Sequence, residues 1–76
     1  MEKNYSVIIL SAAGDFLVEE EDQLEKKEKG VVARKPYIYT EEDEAQRIDA
    51  EKIFVPYSSM DNIQYGEFDI ETVELE

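Results

Sequence analysis

The sequence lacks cysteine, histidine and tryptophan altogether. Without cysteine the chain cannot form disulfides, and without cysteine and histidine it has none of the side chains that usually bind zinc. Ser58 and Ser59 have no identifiable general base, so we interpret their hydroxyls as turn groups that bond to the backbone. We therefore predict that the protein is not an enzyme and uses no metal and no cofactor.

Long hydrophobic runs are also missing, because the longest, residues 7–10, spans only four residues. That is far short of the roughly 20 apolar residues that cross a bilayer, and no signal peptide is indicated. We expect a cytoplasmic protein that does not contact membranes. At 76 residues the chain makes one domain, residues 1–76, whose core is so small that its stability usually needs partner subunits.

Positive charge is scarce, since eight Lys and Arg stand against 20 Asp and Glu and give a net charge of −12. Most of the surface should therefore repel phosphates. Five of the eight cations lie within residues 26–35, where they could form a patch that accepts phosphate or could simply balance the acids of residues 19–22. These cations are Lys26, Lys27, Lys29, Arg34 and Lys35.

The first part of the chain predicts a β-hairpin. Residues 5–10 are apolar and rich in β-branched side chains, which is typical of a buried strand, and a second strand begins after a turn in which Gly14 can adopt positive φ. Residues 19–29 have helix propensity but only one strong apolar side chain, Leu24, to bury. We favour a continuation of the second strand toward Leu24, followed by a solvated turn at residues 26–30.

Three further strands are predicted. A third strand covers residues 31–39 and is interrupted at Pro36, because proline cannot donate to a strand ladder. Two more strands, residues 52–57 and 62–68, flank a short polar link. Five short strands separated by turns indicate an all-β fold, either a small barrel or a sandwich.

Two acidic segments lie outside these strands. Residues 40–52 form a long connection in which Thr40 and Asp43 resemble a helix-capping box, so we expect either one helical turn or a mobile loop. In residues 69–76, apolar side chains are separated by acids. We interpret this C-terminal segment as a sixth strand or as a tail that becomes ordered on a partner.

The most informative motif is the strand–turn–strand pattern of residues 53–65, IFVPYSSMDNIQY. It resembles the second sequence motif of Sm-like proteins, and two earlier positions are similar to that family as well. The resemblance covers about residues 5–68. The matching residues are Gly14, Asp15 and Phe16 in the first turn, Pro36 and Tyr37 in the third strand, and Asp61, Asn62 and Ile63 in the second motif.

The chain departs from the Sm-like pattern in three places. Ser59 and Met60 stand where the family usually has Arg-Gly, and that arginine commonly helps to hold RNA bases. The family's RNA-contacting Asp and Asn after the second strand have no clear match, and the N-terminal helix is missing. The chain thus resembles a divergent, minimal member of the bacterial or phage kind.

The resemblance implies a small, strongly bent, five-stranded antiparallel barrel whose fourth and fifth strands pair with neighbouring subunits. It implies a closed ring of roughly five to seven subunits, of which we favour the smaller end. The implied subunit interface consists of Ile53, Phe54, Val55, Tyr57, Ile63 and Tyr65. The implied RNA-binding residues are Lys26, Lys27, Lys29, Arg34 and Lys35 together with Asp61 and Asn62.

Three functional hypotheses follow. The first is a ring that binds RNA or an RNA–protein complex, and the second is an acidic ring that engages a basic protein without direct RNA contact. The third is a monomeric SH3-like adaptor with the same strand order. Tyr57 and Tyr65 could stack on bases, although packing is the commoner role of tyrosines in strands.

Overall fold

The apolar run of residues 7–10 lies in a strand that is buried on both faces. In the computed structural model, which describes residues 1–73, strand β1 spans Glu2–Ser11 and pairs on one side with β2, Gly14–Val18. Val7 belongs to one buried core, whereas Ile8 belongs to another. A strand covered on both faces needs no polar alternation, which explains the continuous apolar sequence.

Eight strands are present among the described residues. After β1 and β2 come β3 (Leu24–Lys26), β4 (Gly30–Arg34), β5 (Tyr37–Tyr39), β6 (Glu44–Arg47), β7 (Lys52–Pro56) and β8 (Met60–Val73). Two short 3₁₀ turns, Glu21–Gln23 and Tyr57–Ser59, precede β3 and β8. Nowhere in residues 1–73 is there a helix of the length and apolar character needed to cross a membrane.

Five strands close into a barrel in the order β1, β2, β5, β6 and β8. Neighbouring strands are antiparallel except for β6 and β8, which run parallel where Ala45 lies beside Thr72. The first core fills this barrel, because every barrel strand contributes to it. Its buried members are Tyr5, Ile8, Leu17, Tyr37, Ala45 and Ile70. The predicted small all-β fold is thus confirmed, with one parallel pairing that was not expected.

The other three strands form a separate antiparallel sheet with β4 in the centre, flanked by β3 and β7. The second core lies between this sheet and the outer faces of β1, β2 and β8. Its buried members are Val7, Ile9, Val18, Val31, Ala33 and Val55. Consequently β1 and β2 are sandwiched between the two cores.

Bends divide two of the five predicted strands, and a third bend separates the unpredicted β6 from β7. The second strand, predicted to continue toward Leu24, instead ends at Val18, and a 3₁₀ turn at Glu21–Gln23 separates it from β3, which begins at Leu24 in the other sheet. Pro36 separates β4 from β5, as predicted. A link at residues 48–51 separates β6 from β7. Each bend sends one half of the strand into the barrel and the other half into the three-stranded sheet.

The acidic connection of residues 40–52 was predicted wrongly, because it contains β6. The Thr40 hydroxyl accepts the N–H groups of Glu42 and Glu44, both at 3.3 Å, and closes a tight turn rather than a helical one. β6 forms because Ala45 is fully buried in the barrel core, between β5 and β8. The C-terminal segment predicted at residues 69–76 continues β8 as far as its end at residue 73, and residues 74–76 lie outside the described range.

Candidate interaction site: a basic turn and two strand edges

The eight cationic side chains fall into two clusters at opposite ends of β4. The first, called the basic turn below, lies at the connection between β3 and β4. The second lines an open cleft of about 1080 Å³. At roughly 3.3 Å per residue, the five steps along β4 from Lys29 to Arg34 hold the clusters about 16–17 Å apart. The basic turn contains Lys26, Lys27 and Lys29, and the cleft is lined by Lys3, Arg34, Lys35, Arg47 and Lys52.

The basic turn is attached to the link between β7 and β8. The backbone N–H of Tyr57 donates to the Lys29 carbonyl at 2.9 Å, and the Tyr57 hydroxyl donates to the Lys27 carbonyl at 3.0 Å. The Lys26 ammonium lies 5.8 Å from the centre of the Tyr65 ring, within cation–π range. The fold therefore brings the turn after β3 together with the link after β7, and places two exposed tyrosines beside three lysines.

One carboxylate partly neutralises the basic turn. The Lys27 ammonium pairs with Glu25, and this hydrogen bond, together with the charge of Lys27, holds the pKa of the Glu25 carboxyl below its ordinary value. Within residues 1–73, Lys26 and Lys29 form no ion pair. Because contact with an aromatic ring does not neutralise an ammonium group, two of the three lysines remain available to a phosphate.

The cleft carries charges of both signs. Four carboxylates lie among its cations, and the Lys3 ammonium is 3.9 Å from the Glu19 carboxylate. The Arg34 guanidinium donates to a backbone carbonyl of the turn before β3. Lys35 adopts the left-handed conformation, with φ 47°, and its N–H donates to the Glu51 carbonyl at 2.7 Å. Arg34 and Lys35 therefore belong to this cleft, and the structure does not bring them together with the basic turn.

Asp61 and Asn62, the remaining predicted RNA-contacting residues, lie at the start of β8. Both are exposed. Asn62 lies opposite Leu10 of β1, and a shift of register makes Asp61 an extra residue in β8 just before that pair. The preceding Ser59 hydroxyl donates to the Pro56 carbonyl at 3.1 Å, which agrees with its interpretation as a turn residue.

The six residues predicted for a subunit interface divide into two groups. Val55 is buried in the second core, and Ile53 and Ile63 pack against that core while partly buried. The other three are large aromatic side chains at the surface of the subunit. They are Phe54, Tyr57 and Tyr65, which are 52%, 43% and 47% exposed.

β7 has an open edge, because among the described strands it pairs only with β4. The N–H groups of Lys35 and Tyr57 donate across the two ends of this ladder, at 2.7 and 2.9 Å. Since hydrogen-bonded pairs alternate in an antiparallel ladder, the odd-numbered residues of β7 bond to β4. The even-numbered residues, Lys52, Phe54 and Pro56, direct their backbone groups to the open edge. Pro56 has no N–H and so ends the row of donors.

β8 has a second open edge. At residues 60–70 it pairs only with β1 among the described strands, since β6 joins it from residue 71 onward. The Ala12 N–H donates to the Ser59 carbonyl at 2.7 Å, so the even-numbered residues at this end of β1 bond to β8. Their partners are residues 62 and 64. The intervening residues that direct backbone groups to the open edge are Ile63 and Tyr65.

The sequence pattern did not predict the cleft or the direction of these edges. Lys3, Arg47 and Lys52 are far apart in the chain, and only the topology brings them together. One signal was present in the sequence, because no Lys or Arg follows Lys52. β8 is therefore an acidic strand, because its charged side chains are all acids, Asp61, Glu67, Asp69 and Glu71.

The described residues carry neither a metal-binding cluster nor an unpaired buried polar side chain. In residues 1–73, no group of three or more acidic side chains is arranged to hold a metal ion. Every buried side-chain nitrogen or oxygen in that range has a hydrogen-bond partner. Comparisons with protein families, curated proteins and solved structures find no match to this chain. The two edges and the basic turn are therefore the features on which function is argued.

Proposed function

We propose that the chain is a non-enzymatic, Sm-like protein that assembles head-to-tail into a homo-oligomeric ring. The observation that carries this proposal is that one small subunit has two open strand edges, on β7 and on β8. An open edge is a template for pairing with another chain, and pairing between two different edges is a heterologous contact. Repeated about an axis, such contacts close a ring when the rotation permits, and the resemblance to Sm-like proteins implies roughly five to seven subunits, with the smaller end favoured.

Exposed aromatic side chains support the same proposal. Phe54 on β7 and Tyr65 on β8 are about half exposed, and both lie where the backbone faces an open edge. Aromatic residues dominate the energetics of interfaces, because each brings a large apolar area. Edge pairing would bury both side chains and add apolar contact to an 8.8 kDa subunit whose own core is small.

Phe54→Pro tests the assembly. The N–H of Phe54 points away from β4, so proline removes a donor only from the open edge and leaves the β4–β7 ladder intact. We expect the wild type to sediment as a ring and Phe54→Pro to sediment as a folded monomer. Phe54→Ser is the matched control, because it removes the aromatic ring but keeps the N–H, and it should weaken assembly less. A wild type that stays at 8.8 kDa at high micromolar concentration would reject the ring.

The ring is further proposed to bind single-stranded RNA, or an RNA–protein complex, at the basic turn. Lys26 and Lys29 would contact phosphates, while Tyr57, which is held against the basic turn and lies outside the Phe54–Tyr65 contact, would offer a face on which a base stacks. The argument depends on local charge, because a net charge of −12 per subunit opposes the approach of phosphate from a distance.

RNA binding is tested by fluorescence anisotropy with labelled single-stranded RNA at low and at physiological salt. The variant Lys26→Ala/Lys29→Ala should weaken binding strongly. Arg34→Ala/Lys35→Ala is the matched control, because it removes the same charge from the cleft at the other end of β4, and it should weaken binding less. Equal losses would refute a role for the basic turn, and the absence of any salt-dependent binding would reject RNA as the ligand.

A second candidate function is an acidic ring or adaptor that engages a basic protein. It is favoured by the distribution of charge, since residues 53–76 contain no cation and the chain has 20 carboxylates. Such a surface attracts basic partners over distances of about one Debye length. Pulldown at low salt distinguishes the two functions, because recovery of RNA without protein contradicts this candidate and the reverse favours it.

A further inference from the structure

The two open edges carry opposite charge. Because no Lys or Arg follows Lys52, the charged side chains that β8 itself contributes to its open edge are all acids, Asp61, Glu67 and Asp69, although Lys26 of the basic turn lies over the Tyr65 ring. The edge of β7 begins at Lys52, in the cleft that five cations and four carboxylates line, and ends beside the basic turn, through the Tyr57 contact with that turn. Pairing two β7 edges or two β8 edges would place like charges together, whereas pairing β7 with β8 unites opposite charges.

One register also matches the exposed aromatic side chains. In an antiparallel pairing that sets Phe54 opposite Tyr65 of a second subunit, a step of two residues sets Lys52 opposite Glu67. The aromatic pair and the charge pair then lie on the same face. In a parallel pairing with the same aromatic pair, Lys52 would lie beside Ile63 and the charge pair would be lost. The antiparallel register is therefore the one that satisfies both.

The backbone groups agree with this register. Phe54 directs its N–H and carbonyl to the open edge of β7, and Tyr65 does the same on the open edge of β8. Placed opposite one another, these two residues exchange both hydrogen bonds. Pro56 lies two residues beyond Phe54, opposite Ile63. Its carbonyl can accept a hydrogen bond there, and because proline has no N–H the ladder ends at this pair.

We propose that subunits join through this register, with Phe54 on Tyr65 and Lys52 on Glu67 of the next subunit, and that the opposite charge of the two edges excludes symmetric pairing. The inference rests on the proposed ring, since it specifies the contact that closes it. Each subunit then presents one basic edge and one acidic edge. The partner that fits either edge is a second copy of this chain.

Charge exchange tests the register. Lys52→Glu and Glu67→Lys, each alone, should raise the concentration of half-assembly about tenfold, because each sets like charges opposite one another. The double variant Lys52→Glu/Glu67→Lys should assemble near the wild-type concentration. Lys52→Glu/Asp61→Lys is the matched control, because it also restores the net charge of −12 but does not restore the pair. Assembly is measured by sedimentation velocity across a concentration series.

The outcomes separate this inference from the ring itself. Rescue by Glu67→Lys and not by Asp61→Lys supports the register. Equal rescue by both variants shows an effect of net charge only and overturns the register. Rescue by Asp61→Lys alone shows a different alignment of the strands and also overturns the register. A wild type that assembles while neither double variant recovers refutes the register but leaves the ring, whereas a monomeric wild type refutes both.

Discussion

The barrel and the three-stranded sheet are built from halves of the same bent strands, yet they end differently. In the barrel β6 closes the gap between β5 and β8, so every strand pairs with two neighbours along part of its length, whereas residues 60–70 of β8 pair on one side only within the described chain. In the sheet, β7 has a neighbour on one side only within the described chain, and it exposes Phe54 at the centre of that edge. Closure removes backbone groups that could pair elsewhere, and an open edge retains them.

The comparison assigns stability chiefly to the barrel core and recognition to the two open edges, on β7 of the sheet and on residues 60–70 of β8. The barrel core draws on five strands and includes the fully buried pair Tyr5 and Leu17. The second core borrows one of its walls from the outer face of the barrel, so the sheet depends on the barrel more than the barrel depends on the sheet. Substitutions in the two regions should therefore differ in their effects on unfolding and on assembly.

The largest expected effect comes from Leu17→Ala. Leu17 is fully buried within the barrel, and truncation should lower the free energy of unfolding by about 3 kcal/mol, through lost burial and a residual cavity. Leu24→Ala is the matched control in the second core, where the side chain is only partly buried, and about 1–2 kcal/mol is expected. Urea unfolding followed by circular dichroism measures both. A larger loss for Leu24→Ala would reverse the assignment.

Gly30→Ala should act on the sheet and its edge. A Cβ at residue 30 would collide with the Val55 carbonyl and lie 2.8 Å from the Pro56 Cα, both backbone atoms of β7. Overpacking of this kind costs about 1–3 kcal/mol, and displacement of β7 should also abolish assembly. Gly66→Ala is the control, because the atoms nearest to its Cβ would belong to the Phe68 side chain, the closest at 3.3 Å, and not to the backbone. Assembly of both variants is measured by sedimentation. If Gly66→Ala disrupts assembly as much as Gly30→Ala, the loss does not report on displacement of β7.

The sequence predicted most of the local structure, because that structure depends on local chemistry. The bend at Pro36 and the positive φ of Gly14 follow from the geometry of those two residue types. The buried strand at residues 5–10 follows from its unbroken apolar run. These are the elements for which side-chain type alone decides the conformation.

The sequence did not predict β6 or the clusters of charge. β6 has one buried side chain, Ala45, so its sequence shows no hydrophobic alternation. It forms a strand through backbone pairing with β5 on one side and β8 on the other. The linear patch of residues 26–35 is divided because β4 runs through it and separates Lys29 from Arg34. Both errors have the same cause, since long-range topology determines which residues meet.

The smallest expected effect, Tyr5→Phe, sharpens the comparison by reporting on barrel closure at alkaline pH. The Tyr5 hydroxyl is buried and lies 2.6 Å from the Thr72 hydroxyl of β8, so the substitution should cost about 1 kcal/mol at neutral pH. Burial raises the pKa of Tyr5 above its ordinary value of 10.0, because the phenolate would be poorly solvated. Folding therefore favours the protonated form of this tyrosine.

The sign of the pH dependence follows directly. The contribution of protonated Tyr5 is fully present below pH 10 and is lost as the pH rises above 10 toward the higher pKa of the folded state. Tyr5→Phe should remove this part of the alkaline loss and flatten the stability curve above pH 10.

Tyr39→Phe is the matched control. The pKa of Tyr39 is also raised, chiefly by its hydrogen bond to Asp43 at 3.0 Å, but its hydroxyl bond is exposed. Because that bond is screened by solvent, Tyr39→Phe should flatten the curve less. If the two variants flatten the stability curve equally, the effect does not depend on burial of the tyrosine hydroxyl, and Tyr5 does not report on closure of the barrel.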